Sequence, residues 1–199
     1  MSSGLRIGLT GKAGAGKGVV ADYLVEHYGF TKVSFAGPLK KMLRTLNPII
    51  GSQLTLGDFG AEPTRLSHLF DVGMTELELK NSVHGPEYRR LLQVLGTDCI
   101  RAWDETFWVR AAMQQITAKG NYVFDDCRFP NEGKAIKDSG GTLWNIIRPG
   151  HDAGAGNHSS EQWAGKMNEN YRLPNEGTIS DLCALGDCIM ETLKEAAND

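Results

Sequence analysis

Near the start of the chain, Gly11-Lys12-Ala13-Gly14-Ala15-Gly16-Lys17 carries the residue types best suited to chemistry. Glycines in such a run let backbone N–H groups turn inward and ring an anion, and a helix that begins at the lysine adds its positive end. Lys17 would then reach the outer phosphates of a nucleotide. The run fits the phosphate-loop pattern up to its last position. There Gly18 stands where serine or threonine normally places a hydroxyl on a magnesium ion. Either water takes that coordination position or carboxylates elsewhere hold more of the metal.

A second signal is Tyr122-Val123-Phe124-Asp125-Asp126, an apolar stretch that ends in two acids. Ligands of open parallel sheets bind beyond the carboxyl ends of strands. An acid there can orient magnesium, usually through water. Strand alternation favours Asp125 for this role, because Asp126 would point to the other side.

These residues need elements to hold them. Leu5–Thr10 reads as a buried strand, Gly11–Gly16 as a loop, and Lys17–Tyr28 as an amphipathic helix ending at Gly29. Further strands are predicted at Phe30–Ala36, Asn121–Asp125, Thr142–Ile147 and Glu169–Leu173. Helices are predicted at Pro38–Leu46, at Pro86–Ile100 at least as far as Gly96, and at Glu105–Ala118, Asn131–Ser139 and Ile179–Ala196. Asn47–Met74, with its glycines, prolines and weak periodicity, reads as an irregular excursion. Arg148–Gly165 reads as a polar loop bearing glycine and histidine. Strands alternating with helices imply an α/β protein with a parallel sheet covered on both faces.

Composition narrows the function classes. The 199 residues suit one domain with a real core, and 41% hydrophobic with 23% charged residues is ordinary for a soluble chain. A net charge of -3 without a long basic run argues against a dedicated duplex-binding protein. The start, MSSGLRIGLTGK, lacks the pattern of a signal peptide, and no apolar run approaches the ~18 residues of a membrane span. A cytoplasmic protein is expected. Cys99, Cys127, Cys183 and Cys188 show no zinc spacing and read as reduced thiols.

The phosphate loop, SFAGPLK (Ser34–Lys40), LLQVLGTDCIR (Leu91–Arg101), FDDCRFPNE (Phe124–Glu132), HSSE (His158–Glu161) and NEGT (Asn175–Thr178) occur in this order. Together they resemble the bacteriophage deoxynucleoside monophosphate kinases, of the P-loop nucleoside monophosphate kinase superfamily. The resemblance covers most of the chain, and Asn47–Gly85 lies outside it. It implies a P-loop kinase fold with a five-stranded parallel sheet flanked by helices. It further implies a single domain over 1–199, with an acceptor-binding region and excursion over 37–104 and a mobile lid over 148–165. The implied reaction is transfer of the ATP γ-phosphoryl group to a deoxynucleoside 5′-monophosphate, with Mg2+ as cofactor. No nucleic acid polymer or membrane is implied as partner, a homodimer is left open, and a phage origin would place the enzyme in the host cytoplasm.

Carried onto this sequence, the resemblance assigns ATP binding to Gly11, Lys12, Ala13, Gly14, Ala15, Gly16, Lys17 and Gly18. It adds Gly177 in the turn that packs on adenine, where Thr178 alternatively caps the last helix. A monophosphate acceptor, with its second pKa of about 6, needs no general base. It needs cations that overcome repulsion between two anions and hold an in-line geometry. Lys40 follows the second strand, where the acceptor is expected. Arg101 follows LGTD and would hold the acceptor phosphate, or pair with Asp98 or Asp104. Arg128 lies just past Asp125, and Arg148 opens the polar loop. Lys17, Asp125, Arg128 and Arg148 form the expected catalytic set. Gln93, Thr97 and Asp98 would read the base or sugar, unless Gly96 ends the helix and Asp98 caps the next. Trp108 and Phe35 would stack on a base or belong to the core. His158 and Glu161 would sit at the lid edge, near the acceptor.

Two other readings remain at this level. A dephospho-coenzyme A kinase-like enzyme would transfer to a hydroxyl, which benefits from an acidic base. The second strand ends VSFAGPLK, with no acid and with basic residues following, which favours an anionic acceptor. A nucleotide-binding regulatory protein without turnover is the other, with Gly18 in its favour.

Overall fold

The computed structural model describes residues 4–54, 61–150, 163 and 165–196. The first elements are β1 (Arg6–Thr10), α1 (Lys17–Tyr28), β2 (Thr31–Val33), α2 (Gly37–Leu46), β3 (Ile49–Leu54), β4 (Ala61–Arg65), α3 (Leu66–Asp71) and α4 (Glu76–Asn81). They are followed by α5 (Gly85–Gln93), a π-helical stretch (Val94–Arg101), α6 (Phe107–Met113), β5 (Tyr122–Phe124), α7 (Pro130–Asp138), β6 (Thr142–Ile147), β7 (Tyr171–Pro174) and α8 (Ile179–Ala196). The chain divides into two compact units, Met1–Phe35 with Val109–Asp199, and Ala36–Trp108.

The first unit is built on an all-parallel sheet with strand order β2-β5-β1-β6-β7. Ile7 of β1 lies between Val123 of β5 and Thr142 of β6. β1 is buried at every position, as a parallel strand covered on both faces must be. Ile7 and Leu9 pack with Val20, Leu24, Leu182 and Met190 of α1 and α8. Val33, Phe124, Ile136 and Leu143 pack with Ala112 in a second cluster. α1 and α8 are also tied by Asp187, whose carboxylate accepts from the hydroxyls of Tyr23 at 2.8 Å and Tyr28 at 2.6 Å. At the amino end of β1, buried Arg6 donates to the carbonyls of Gly4, Ser139, Thr117 and Ala118.

In the second unit, Leu43, Ile50, Leu66, Leu69, Leu79 and Tyr88 form a separate core. Here the structure corrects the sequence. The excursion over 47–74 contains an antiparallel pair, β3 with β4, followed by α3. α4 had a local signal: Thr75 and Glu78 form a capping box, the Thr75 hydroxyl accepting from Glu78 N–H and Glu78 reaching back to Thr75 N–H. Gly96 does not stop a helix. A Cβ there would lie 2.6 Å from Leu39 Cδ2, so the glycine serves close packing while the backbone runs on in π-helical form to Arg101. Asp98 therefore caps nothing and lies within that stretch. The strand expected over 30–36 is cut to Thr31–Val33, and the helix expected over 105–118 to Phe107–Met113. The last strand shifts to Tyr171–Pro174. Among the described residues, no helix is long and apolar enough to cross a membrane.

The Asp187 clamp has a pH signature. Its hydrogen bond to Tyr28, then burial, push that phenol from the ordinary value up to about 12. Stability from this contact is complete below the unfolded tyrosine value of about 10 and is lost as pH rises through about 12. Urea denaturation from pH 9 to 12 should show wild type losing more stability than Asp187→Ala. Parallel pH curves would remove the clamp as the source.

Candidate active site

The loop between β1 and α1 takes its shape from three glycines with positive φ: Gly11 at 133°, Gly14 at 74° and Gly16 at 110°. Two are also held by space. A Cβ on Gly11 would stand 2.4 Å from the Ile146 carbonyl oxygen, and one on Gly16 2.9 Å from Asn175 Nδ2. Backbone in this conformation, pressed against β6, is open only to glycine. Ala15 is buried inside the loop, its N–H donating to the Lys12 carbonyl at 3.2 Å. The Asn175 amide donates to the Ala15 carbonyl at 2.9 Å and ties the loop to the NEGT turn.

Lys17 opens α1 and folds back, its Nζ donating to the carbonyls of Gly11 at 2.6 Å and Lys12 at 2.8 Å. Arg148, just past β6, donates to the Gly14 carbonyl at 3.4 Å. The structure thus gathers Lys17 and Arg148 around the loop. Gly18 differs from the other loop glycines. It has no positive φ, and a Cβ there meets nothing within 4 Å among the described residues. Neither backbone nor packing demands glycine at this position.

The two acids after β5 take different partners. Asp126 accepts from Ser34 Oγ at 2.6 Å and Phe35 N–H at 2.8 Å, joining the carboxyl ends of β5 and β2. Asp125 lies 3.4 Å from Lys32, which also pairs with Asp22 at 2.7 Å. Burial opposes the charge on Lys32, but Asp22 and Asp125 outweigh it and raise its pKa. Arg128 is exposed, yet its backbone is fixed: the buried Glu132 carboxylate accepts from the N–H groups of Arg128 at 2.8 Å and Phe129 at 3.0 Å.

Three positioning residues went unassigned in the sequence: Glu132, Asn175 and Glu169. Glu132, third in α7, carried the usual first-turn acid signal. Glu169 accepts from Thr10 Oγ1 at 3.3 Å and Gly165 N–H at 2.8 Å, and no local pattern marks it. Buried Cys127 sits in the field of this group, its thiol pushed up by burial, then by Glu132, Asp126 and Glu169. All four cysteines are free. Among the described residues no three His, Cys, Asp or Glu side chains form a metal-binding group.

Other expected site residues divide. Lys40 pairs with Glu76 at 3.0 Å. Gln93 and Asp98 are exposed and Thr97 half-buried at the junction of α5 and the π-helical stretch. Arg101 donates to the Glu105 carbonyl at 3.5 Å. Trp108 is 3% exposed and donates to the Gly96 carbonyl at 2.9 Å, so an indole enclosed in this way offers no face to a base. Phe35 is equally enclosed and stacks on Phe124 at 5.1 Å. Gly177 makes room for a cap: its Cβ would lie 2.5 Å from Asp181 Oδ2, which accepts from Thr178 N–H at the start of α8. Most of the 148–165 segment, with His158 and Glu161, lies outside the described residues.

A sequence profile for deoxynucleotide monophosphate kinase matches residues 66–185. A putative deoxynucleotide monophosphate kinase of Acanthamoeba polyphaga mimivirus is 31% identical over 159 residues, 72% of this chain and 74% of that protein. The deoxynucleotide monophosphate kinase of Enterobacteria phage T4 is 24% identical over 229 aligned positions, spanning 87% of this chain and 93% of that one. The profile takes in more than half of the chain, and the mimivirus relative shares close to a third of the aligned residues. The chain belongs to the deoxynucleotide monophosphate kinase family.

Proposed function

We propose that this protein transfers the γ-phosphoryl group of ATP to the phosphate of a deoxynucleoside 5′-monophosphate, giving the diphosphate and ADP. The observation that carries this reading is the loop itself. Gly11, Gly14 and Gly16 all hold positive φ, with Lys17 at the helix start and Arg148 bonded to the loop, in a chain of this family. Loop N–H groups and the α1 amino end hold the donor phosphates. Lys17 exchanges its two carbonyl partners for phosphate oxygens, a stronger charge-assisted contact. The acceptor phosphate is the nucleophile and is already ionised, so the protein's work is positioning and charge neutralisation. Arg128, its backbone pinned by Glu132, and Arg148 supply planar forks suited to phosphate.

Lys40, Gln93, Thr97, Asp98 and Arg101, all within 36–108, are the groups proposed to hold the acceptor. Their polar and basic character supports that role. The residues fit magnesium held mostly by phosphate and water: Asp125 offers a hard oxygen at the strand end, and the open space at Gly18 admits a water. Bound there, magnesium would neutralise charge on the phosphates.

Release of ADP measured with a panel of nucleoside monophosphates should show turnover with deoxynucleoside monophosphates. No turnover with any of them would leave the binding-only reading. Lys17→Ala should lower turnover on the order of 10²-fold or more while the urea midpoint stays near wild type, since its contribution is electrostatic. Turnover within a few-fold of wild type would remove Lys17 from the reaction. Activity against magnesium concentration separates the two acids. Asp125→Asn should raise the magnesium needed for half-maximal rate, and Gly18→Ser should fold and lower it. A shift in Asp126→Asn instead would mean that strand alternation selected the wrong carboxylate.

A further inference from the structure

The unit over 36–108 holds a polar cluster that the phosphate loop does not explain. Glu76 of α4 takes Lys80 Nζ at 2.6 Å and Lys40 Nζ of α2 at 3.0 Å on the same carboxylate oxygen. Burial pushes this carboxyl up, but the two lysines overcome it and hold it below the usual range, so it stays ionised. One turn on from Lys40, the Arg44 guanidinium lies 3.9 Å above the Phe70 ring. Tyr88 of α5 is fully buried, and its hydroxyl has no hydrogen-bond partner among the described residues. That phenol is pushed up to about 12, first by burial and then by the Glu76 charge, with Arg44 acting the other way. The hydroxyl therefore sits in the field of the same cluster.

Two features of this arrangement are unbalanced. Lys40 and Lys80 are two cations on one carboxylate, and Arg44 adds a third positive charge acting on the Tyr88 hydroxyl. A buried hydroxyl without a partner is a polar group that carries a desolvation cost, and such groups call for a missing ligand or an alternative state. An anion of higher charge with several acceptor oxygens would balance the cations, and a phosphate monoester, at about -1.5 to -2 near neutral pH, is such a group. The Glu76 carboxylate occupies the place between the two lysines that such an anion would take.

We propose that Lys40 and Lys80 form a binding site for a phosphate monoester, and that Glu76 is its built-in occupant, holding the lysines together until the phosphate displaces it. Resting on the kinase reading above, the monoester is the acceptor nucleotide's 5′-phosphate. Glu76 thereby lowers acceptor affinity and keeps the lysine pair assembled without substrate.

Three measurements test this. Calorimetric titration with inorganic phosphate needs no turnover, so it reads the site even if every nucleotide fails as a substrate. Glu76→Gln should bind phosphate several-fold more tightly than wild type, and Lys80→Ala about tenfold more weakly, with Lys80→Arg recovering most of the loss. In the ADP-release assay the same variants should move the KM of the acceptor in the same directions and leave the KM of ATP unchanged. Displacement of bound phosphate by deoxynucleoside monophosphates, but not by the deoxynucleosides without phosphate, identifies the source. Phosphate binding that no nucleotide displaces would overturn the acceptor assignment. A Glu76→Gln protein with a wild-type urea midpoint and unchanged or weaker phosphate binding would overturn the site. So would a variant set that shifts only the urea midpoint.

Discussion

Parallel pairing is the constraint on which the rest of this structure depends. Five strands running the same way place all their carboxyl ends along one edge of the sheet. With β1 in the middle, its following loop must pass beside the end of β6, and the Ile146 carbonyl lies where a Cβ of Gly11 would be. The loop conformation is therefore imposed from outside as much as chosen by its own residues. The course of the loop backbone is thereby fixed by the sheet beside it.

The same edge is bound together by polar side chains acting on backbone. Asp126 grips the end of β2, Glu132 the turn before α7, Glu169 the end of β1 and the backbone at Gly165, and Asn175 the loop carbonyl of Ala15. Except at Thr10 in β1, the partners lie in turns and loops that lack regular pairing, which is where such bonds are needed. Cys127, enclosed among three of these carboxylates, is held as a thiol and packs as a small apolar residue.

The unit over 36–108 follows another logic. Its core is a small set of aliphatic side chains and Tyr88, and α2 and α4 are joined by an ion pair in which Lys40 and Lys80 share the Glu76 carboxylate. The π-helical stretch continues a helix past Gly96, against which the Leu39 side chain packs closely. Such stretches are rare and occur frequently at functional sites. In this chain the stretch carries Thr97, Asp98 and Arg101.

By itself the sequence determined the central strand, the glycine loop, the helix after it, β6 and α8, along with the order of motifs that marks the family. These are local signals: residues a few positions apart fix the periodicity, and positive-φ sites select glycine. Alternation along β5 also separated Asp125 from Asp126, and the two acids do take different partners. Only the tertiary structure decided what Asp126 and Glu169 hold, because Ser34 is 92 positions from Asp126 and Thr10 is 159 from Glu169. It also decided that Gly96 packs rather than caps, that Trp108 is enclosed, and that Lys40 shares a carboxylate with Lys80. Contacts of this kind gain energy only when distant segments are brought together and lose water at once, and no short window of residues carries that information.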